Sequence, residues 1–314
     1  MLLEAALQEF LLACRADGLS PDTIHWYRSL LAVFCQQFPE TELIEITTPM
    51  LRDYIVQLQE RKTRYAGAKQ RPKMKGGLSL ESIAGHIRAL HRFWRWVAAE
   101  YNLPNPMTNI RRPKRKFPKP KGVKLPDVEA LLAAASTGRE SVRDRALIAF
   151  LFDTGCRVQG LVNLEPGQLD MDQHSAMVQE KAGPMRMVFF SEPTAELLAA
   201  CLAERPEGAT TVFCSRLTGK ALTANGVYQL LERLKQRADI TGRVNPHAFR
   251  HGFAREYVMN GGDLATLSQI MGHSSVTVTA SYYAVFSYDE LAAKHSKFSP
   301  VNRLNFTVDS EDES

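Results

Sequence analysis

Apolar residues recur at three- and four-residue spacing from Leu2 to about Tyr101, the period of helices that bury one face. Ser20 and Pro21 open one such stretch, "LSPDTIHWYRSLLAVF", with a capping hydroxyl and a proline at the first helical position. Thr48 and Pro49 repeat the device before "MLRDYIVQLQE", and Ser79 starts "LESIAGHIRALHRFWRWVAAE". In that last helix Ile83, Ile87, Leu90, Trp94 and Val97 form a stripe, which predicts the core of a four-helix bundle. Its other face carries His86, Arg88, His91, Arg92 and Arg95, suited to lying against phosphates.

From Leu125 the texture changes. Helical patterns run over 126–136, 141–153, 193–204, 223–238, 246–259 and 263–271. Between them "AMVQEKAGPMRMVFF" gives two short β-type runs around Lys181-Ala-Gly-Pro184, a hairpin signal. The expected fold is mainly α with a small β-hairpin or sheet: an N-terminal helical bundle plus a mixed α/β domain. Residues 102–124 hold five prolines, which disfavour both helix and central strand. The boundaries expected are a bundle over 1–110, a basic linker over 111–124, a second domain over 125–300 and a tail over 301–314.

Composition narrows the class. A chain of 314 residues has room for two cores, and 45% hydrophobic with 23% charged residues is ordinary for a globular protein. The longest apolar run, Ala146 to Phe152, is too short to span a bilayer. Glu4 and Glu9 stand where a signal peptide needs positive charge, so a cytoplasmic protein is expected. Five widely spaced cysteines without a CxxC pair suggest neither a disulfide framework nor a zinc site. The net charge of +5 says less than its distribution. Seven Lys/Arg lie between Arg61 and Gly77 and eight between Arg111 and Lys124, with no acid in either block, whereas the tail "VDSEDES" is acidic. Such blocks suit a polyanion, most commonly nucleic acid, or else form a solvated loop and linker.

Candidate chemistry gathers in "NPHAFRHGFA", where Asn245 and Pro246 start a helix and His247 and Arg250 share a face. His247 and His251 have the spacing of a metal pair, but the glutamate of an HExxH site is missing. Asp170, Asp172 and His174 read as an acidic turn before the hairpin. No GxxxxGKS or GxxxxGKT loop supports nucleotide use. Neither a metal nor a cofactor is expected.

"LSPDTIHWYRSLL", "FDTGCRVQGLVNL", the hairpin with Lys181 and "NPHAFRHGFAREYVMNGGDLATLSQIMGHSSVTVTASYY" together resemble the tyrosine recombinase (phage integrase) family, in order and over most of the chain. Arg157 precedes Lys181 by 24 residues, His273 follows Arg250 by 23, and Tyr282 follows His273 by 9. The resemblance implies a SAM-like core-binding bundle, a catalytic domain of the tyrosine recombinase type, and cleavage and rejoining of DNA through a 3′-phosphotyrosine during strand exchange. Its catalytic residues would be Arg157, Lys181, His247, Arg250, His273 and the nucleophile Tyr282. The chemistry agrees: metal-free opening of a phosphodiester needs fixed donors around the developing charge, and arginines supply permanently charged forks. A tyrosine with a pKa of about 10 is ionised only to about one part in a thousand at neutral pH, so cations and a base are needed.

Helical periodicity alone leaves Tyr282 and Tyr283 undecided, since Tyr283 shares a face with Val276 and Ala280 while Val278 and Val285 flank Tyr282. The family pattern, Thr279-x-x-Tyr, selects Tyr282. One departure is Gly160, where the family usually has an acid three residues after the first arginine. Arg88, Arg92, Arg95, Arg111, Arg112, Lys114, Arg115 and Lys116 are the expected contacts to double-stranded DNA. Four protomers are expected to assemble on DNA through the segment beyond the nucleophile. The rival readings are a type IB topoisomerase that only relaxes DNA and a DNA-binding relative without catalysis.

Overall fold

A computed structural model describes residues 1–64, 74–112, 121–179, 185–273, 275–284 and 286–303. The chain divides into two compact units, Met1–Lys116 and Phe117–Ser314.

The first unit contains α1 (Leu3–Ala16), α2 (Pro21–Gln37), α3 (Thr48–Glu60) and α4 (Leu80–Tyr101), with a two-residue ladder of β1 (Thr63–Arg64) and β2 (Met74–Lys75). Ser20 and Ser79 cap α2 and α4 through the amides of Thr23 and Ser82, as their sequences predict. At α3 the cap falls one residue earlier, on Thr47, and makes no side-chain bond. The Thr48 hydroxyl instead donates to the Pro106 carbonyl at 2.8 Å, tying α3 to the segment after α4.

The core stripe of α4 is buried as expected, and Phe10 meets Phe93 edge-on at 5.4 Å between ring centres. The expected phosphate-facing side needs one correction. His86 is buried, because α1, α2 and α3 all pack on α4 and the Tyr54 hydroxyl lies 3.4 Å from its Nδ1. Burial pushes the His86 imidazole down to about 4, so it is a neutral core residue rather than a cation for DNA. Arg95, Arg111 and Arg112 are exposed, while Arg88 and Arg92 pair with Glu81 at 3.0 Å and Asp17 at 3.3 Å. Lys114, Arg115 and Lys116 lie outside the described residues.

The second unit is built on α6 (Ser141–Thr154), whose apolar run Ala146–Leu151 is almost wholly buried and packs on α5 (Leu125–Ala135), α8 (Glu192–Ala203) and α10 (Pro246–Met259). Between α6 and α8 come α7 (Val158–Val162) and an antiparallel sheet of β3 (Leu169–Asp170), β4 (Ser175–Gln179) and β5 (Met185–Phe189), in the order β3-β4-β5. Ala176 pairs with Val188 and Met177 with Met187, so the predicted hairpin is present in register. Its tip, including Lys181, lies outside the described residues. Ala176, Val178 and Val188 point into the core, and α9 (Ala224–Arg237) closes it with Val227, Leu231 and Leu234.

The chain ends with α11 (Leu264–Met271), α12 (Val276–Tyr283) and α13 (Tyr288–Phe298). The first two pack on the later turns of α10 around a separate small cluster: Ala254, Val258, Leu267, Met271 and Tyr283. The α13 helix follows a capping box made by Ser287 and Glu290. It is fastened by an Arg255–Glu290 ion pair and by Lys294, whose ammonium donates to the Val258 carbonyl at 2.6 Å. Tyr288, Leu291 and Phe298 stay exposed on it. Among the described residues no helix is long and apolar enough to cross a membrane.

Candidate active site

Three turns bring the sequence-predicted residues to one place. The first follows α6, where Gly155 ends the helix at φ 57°, a left-handed conformation that favours glycine. A Cβ at Gly155 would stand 2.4 Å from the Phe253 ring of α10, so glycine lets this turn close against that helix. Two residues on, Arg157 sits in extended backbone at the start of α7.

The second element is the start of α10. Asn245 caps it by accepting from the Ala248 amide at 2.9 Å, as predicted, which leaves His247 exposed on its first turn and Arg250 only 5% exposed one turn later. The Arg250 guanidinium donates to the Gly155 carbonyl at 2.7 Å and to the Met271 carbonyl at 2.5 Å. A buried cation held by two carbonyls on separate elements is fixed in position, and each such charge-assisted bond contributes about 1.5–3 kcal/mol.

Met271 is the last residue of α11, so Arg250 also braces the third turn, which carries His273. The His273 Nδ1 lies 2.7 Å from the hydroxyl of Thr279, a fully buried residue of α12 three positions before Tyr282. Arg157, Arg250, His273 and Tyr282 are thus linked by consecutive hydrogen-bonded turns. A phosphate reaching Arg250 would meet a permanent cation already fixed in place, the kind of donor that lowers a barrier to phosphoryl transfer.

The two tyrosines separate cleanly. Tyr283 is 2% exposed and belongs to the small C-terminal cluster, whereas Tyr282 is half-buried at its edge. Packing therefore falls on Tyr283, although not in the company predicted: Val276 is exposed, and the partners come from α10 and α11. Burial raises the Tyr283 hydroxyl to about 12, against the opposing pull of Arg250. That hydroxyl lies 2.6 Å from the His251 Nδ1. Burial and then the nearby His247, Arg250 and Arg243 push His251 down to about 4.

His251 carries more here than its sequence reading as half of a metal pair. Its partner lies 32 positions away, beyond any local pattern. Among the described residues no group of three or more His, Cys, Asp or Glu side chains gathers as metal ligands would. Gly160 is buried in α7, and Asp153, the next-to-last residue of α6, accepts at its carboxylate from the Ser191 amide and from the hydroxyls of Ser191 and Thr194. That acid ties the end of α6 to the start of α8.

An arginine braced by two carbonyls beside a turn-borne histidine and a tyrosine helix, in a mixed domain that follows a helical bundle, is compatible with an enzyme that cleaves and rejoins DNA strands. A family model described as "Phage integrase family" matches residues 123–288, and the chain belongs to this family. It is 26% identical over 285 residues to tyrosine recombinase XerD of Bifidobacterium longum (strain NCC 2705), covering 84% of this chain and 87% of that one. To tyrosine recombinase XerC of Proteus mirabilis it is 27% identical over 286 residues, covering 89% of each. The fold is also that of the Tn1549 transposon integrase solved with a circular intermediate DNA, with a TM-score of 0.73 at 17% identity, covering 93% of this chain and 98% of that one. The chain is a site-specific DNA recombinase by this membership.

Proposed function

We propose that Tyr282 attacks the backbone phosphorus of a bound DNA duplex and forms a 3′-phosphotyrosine, releasing a 5′ hydroxyl. Arg157 and Arg250 hold the non-bridging oxygens, His273 adds a hydrogen bond through Nε2, and His247 assists proton transfer at the nucleophile. Lys181, outside the described residues, protonates the departing 5′ oxygen. The ester stores the cleaved bond, so religation to a second strand needs no nucleotide. The observation that carries this reading is Arg250, which bonds the turn before Arg157 and the turn before His273 at once.

The DNA is double-stranded and is met in the cytoplasm. Arg88, Arg92, Arg95, Arg111, Arg112, Lys114, Arg115 and Lys116 contact its phosphates, with domains divided as the sequence predicts. Four protomers act on two sites, and the exposed apolar residues of α13 and Val301 dock onto a neighbouring protomer. DNA recovered covalently from cells supplies the target. On it, wild-type protein forms an adduct that survives denaturant, and Tyr282→Phe binds without forming one. Truncation at about residue 286 abolishes assembly on DNA but not binding of a single protomer. A Tyr282→Phe variant that still yields the adduct would overturn the assignment.

A further inference from the structure

The nucleophile candidate stands beside open space. Tyr282, Tyr283 and His251 border a cavity of about 460 Å³, larger than a tyrosine ring needs in order to turn over. Packing therefore holds Tyr282 on its cluster side and leaves its other side open, so the ties between α10 and α12 bear on how it is aimed. Three aromatic rings stand against one another there: His251 to Tyr282 at 6.2 Å, His251 to Tyr283 at 5.8 Å and Tyr282 to Tyr283 at 6.2 Å between centres. A polar bond joins α10 to α12 at these rings, the 2.6 Å bond between the His251 Nδ1 and the Tyr283 hydroxyl. Arg255, one turn further along α10, adds a second tie at the same point by donating to the Tyr283 carbonyl at 3.3 Å.

The direction of the proton follows from the surroundings. The Tyr283 hydroxyl, raised to about 12, keeps its proton at neutral pH, and His251, lowered to about 4, is uncharged. Tyr283 is then the donor and Nδ1 the acceptor, so the imidazole carries its own hydrogen on Nε2. A neutral pair suits this place, because Arg250 and Arg255 already supply charge on both sides along α10 and a third cation would repel them.

We infer that His251 and Tyr283 form a latch that positions the nucleophile: the buried hydroxyl, locked to the imidazole, fixes the end of α12 and leaves Tyr282 bearing on the His251 ring. Neither residue touches the reacting phosphate. The latch rests on the reading of Tyr282 as nucleophile and acts through it.

The test measures single-turnover cleavage on a nicked duplex that traps the adduct, together with DNA binding and the thermal midpoint. Tyr283→Phe keeps the ring and its packing but removes the bond. Cleavage should slow about tenfold with binding and thermal midpoint unchanged. His251→Ala should slow it similarly, and the double variant should be no slower than either one. His251→Asn, whose side-chain oxygen can accept where Nδ1 did, should recover most of the rate with Tyr283 present and none with Phe at that position. Wild-type cleavage by Tyr283→Phe, or losses that multiply in the double variant, would overturn the latch while an inert Tyr282→Phe left the nucleophile assignment standing. An adduct formed by Tyr282→Phe would remove both.

Discussion

The cationic half of the candidate active site and its tyrosine half rest on foundations of different size. Beneath the Gly155–Arg157 turn lies the main core of the second unit, where Leu147, Phe150, Leu151, Leu161 and Phe213 are wholly buried between α5, α6, α9 and the sheet. Beneath Tyr282 lies a cluster of five buried residues, one of them Tyr283 itself. At about 1.5–3 kcal/mol for each large apolar side chain buried, the tyrosine helix is held by a small fraction of what holds the arginine turn. Arg250 spans the two, since its helix begins in the main core and its guanidinium reaches α11. On the proposed mechanism the donors sit on the larger core, and the helix that carries the nucleophile sits on the smaller cluster, which is expected to open the more readily.

The largest effects should come from the reacting groups. Tyr282→Phe should lose the covalent adduct entirely while retaining affinity for DNA in a filter-binding or gel-shift assay. Arg250→Ala should slow cleavage by about 10²–10³ or more, the scale of deleting one preorganised donor, and Arg250→Lys should recover little because an ammonium cannot reach two carbonyls and a phosphate. Full activity in Arg250→Ala would detach the arginine from the chemistry.

The contrast between foundations can be broken directly. Phe150→Ala should cost about 3–5 kcal/mol and lower the midpoint of the whole second unit in urea. Val258→Ala removes less volume from the smaller cluster and should act locally. Amide exchange should rise through α11 and α12 while α6 keeps its protection. Equal exchange in α6 and α12 of the wild type would mean the two clusters form one cooperative body.

Much of this was legible from residue order. Ser20, Ser79 and Asn245 announce their helices because capping is local chemistry, and the alternation in "AMVQ" and "MRMVF" gives the hairpin because a sheet with one buried face has period two. The Arg157, Arg250, His273 and Tyr282 positions follow from spacing within a family pattern. Short elements escaped: α7 has five residues and β3 two, too few for any period to register. His86 escaped for another reason. A helix flanked on three sides buries more than its apolar stripe, and periodicity cannot count the neighbours. Gly252 is a further case, since a Cβ there would stand 2.6 Å from the Val123 carbonyl oxygen, so the segment at 122–123 and α10 touch backbone to backbone.

The smallest effect separates the units by pH. His86 in the first unit, facing Tyr54 and Arg61, and His251 in the second, facing Tyr283, His247, Arg250 and Arg243, are both lowered by burial from 6.5 to about 4. Below pH 6.5 the unfolded chain takes up a proton at each position and the folded chain does not. Stability is therefore complete above that pH and falls as the pH drops toward 4 in both units. The three tryptophans, Trp26, Trp94 and Trp96, all belong to the first unit, so their emission follows its unfolding alone. His86→Gln should flatten the acid slope of the tryptophan transition and leave the slope of helix loss in the second unit as it was. His251→Asn should do the reverse. Glu290, held near 2 chiefly by Arg255, adds a later step in the second unit: its contribution is present above about 4.5 and disappears as the pH falls toward 2, loosening α13 from α10. A tryptophan transition whose acid slope responds to His251→Asn would show that the two units unfold together, and the separate accounting of their histidines would fail.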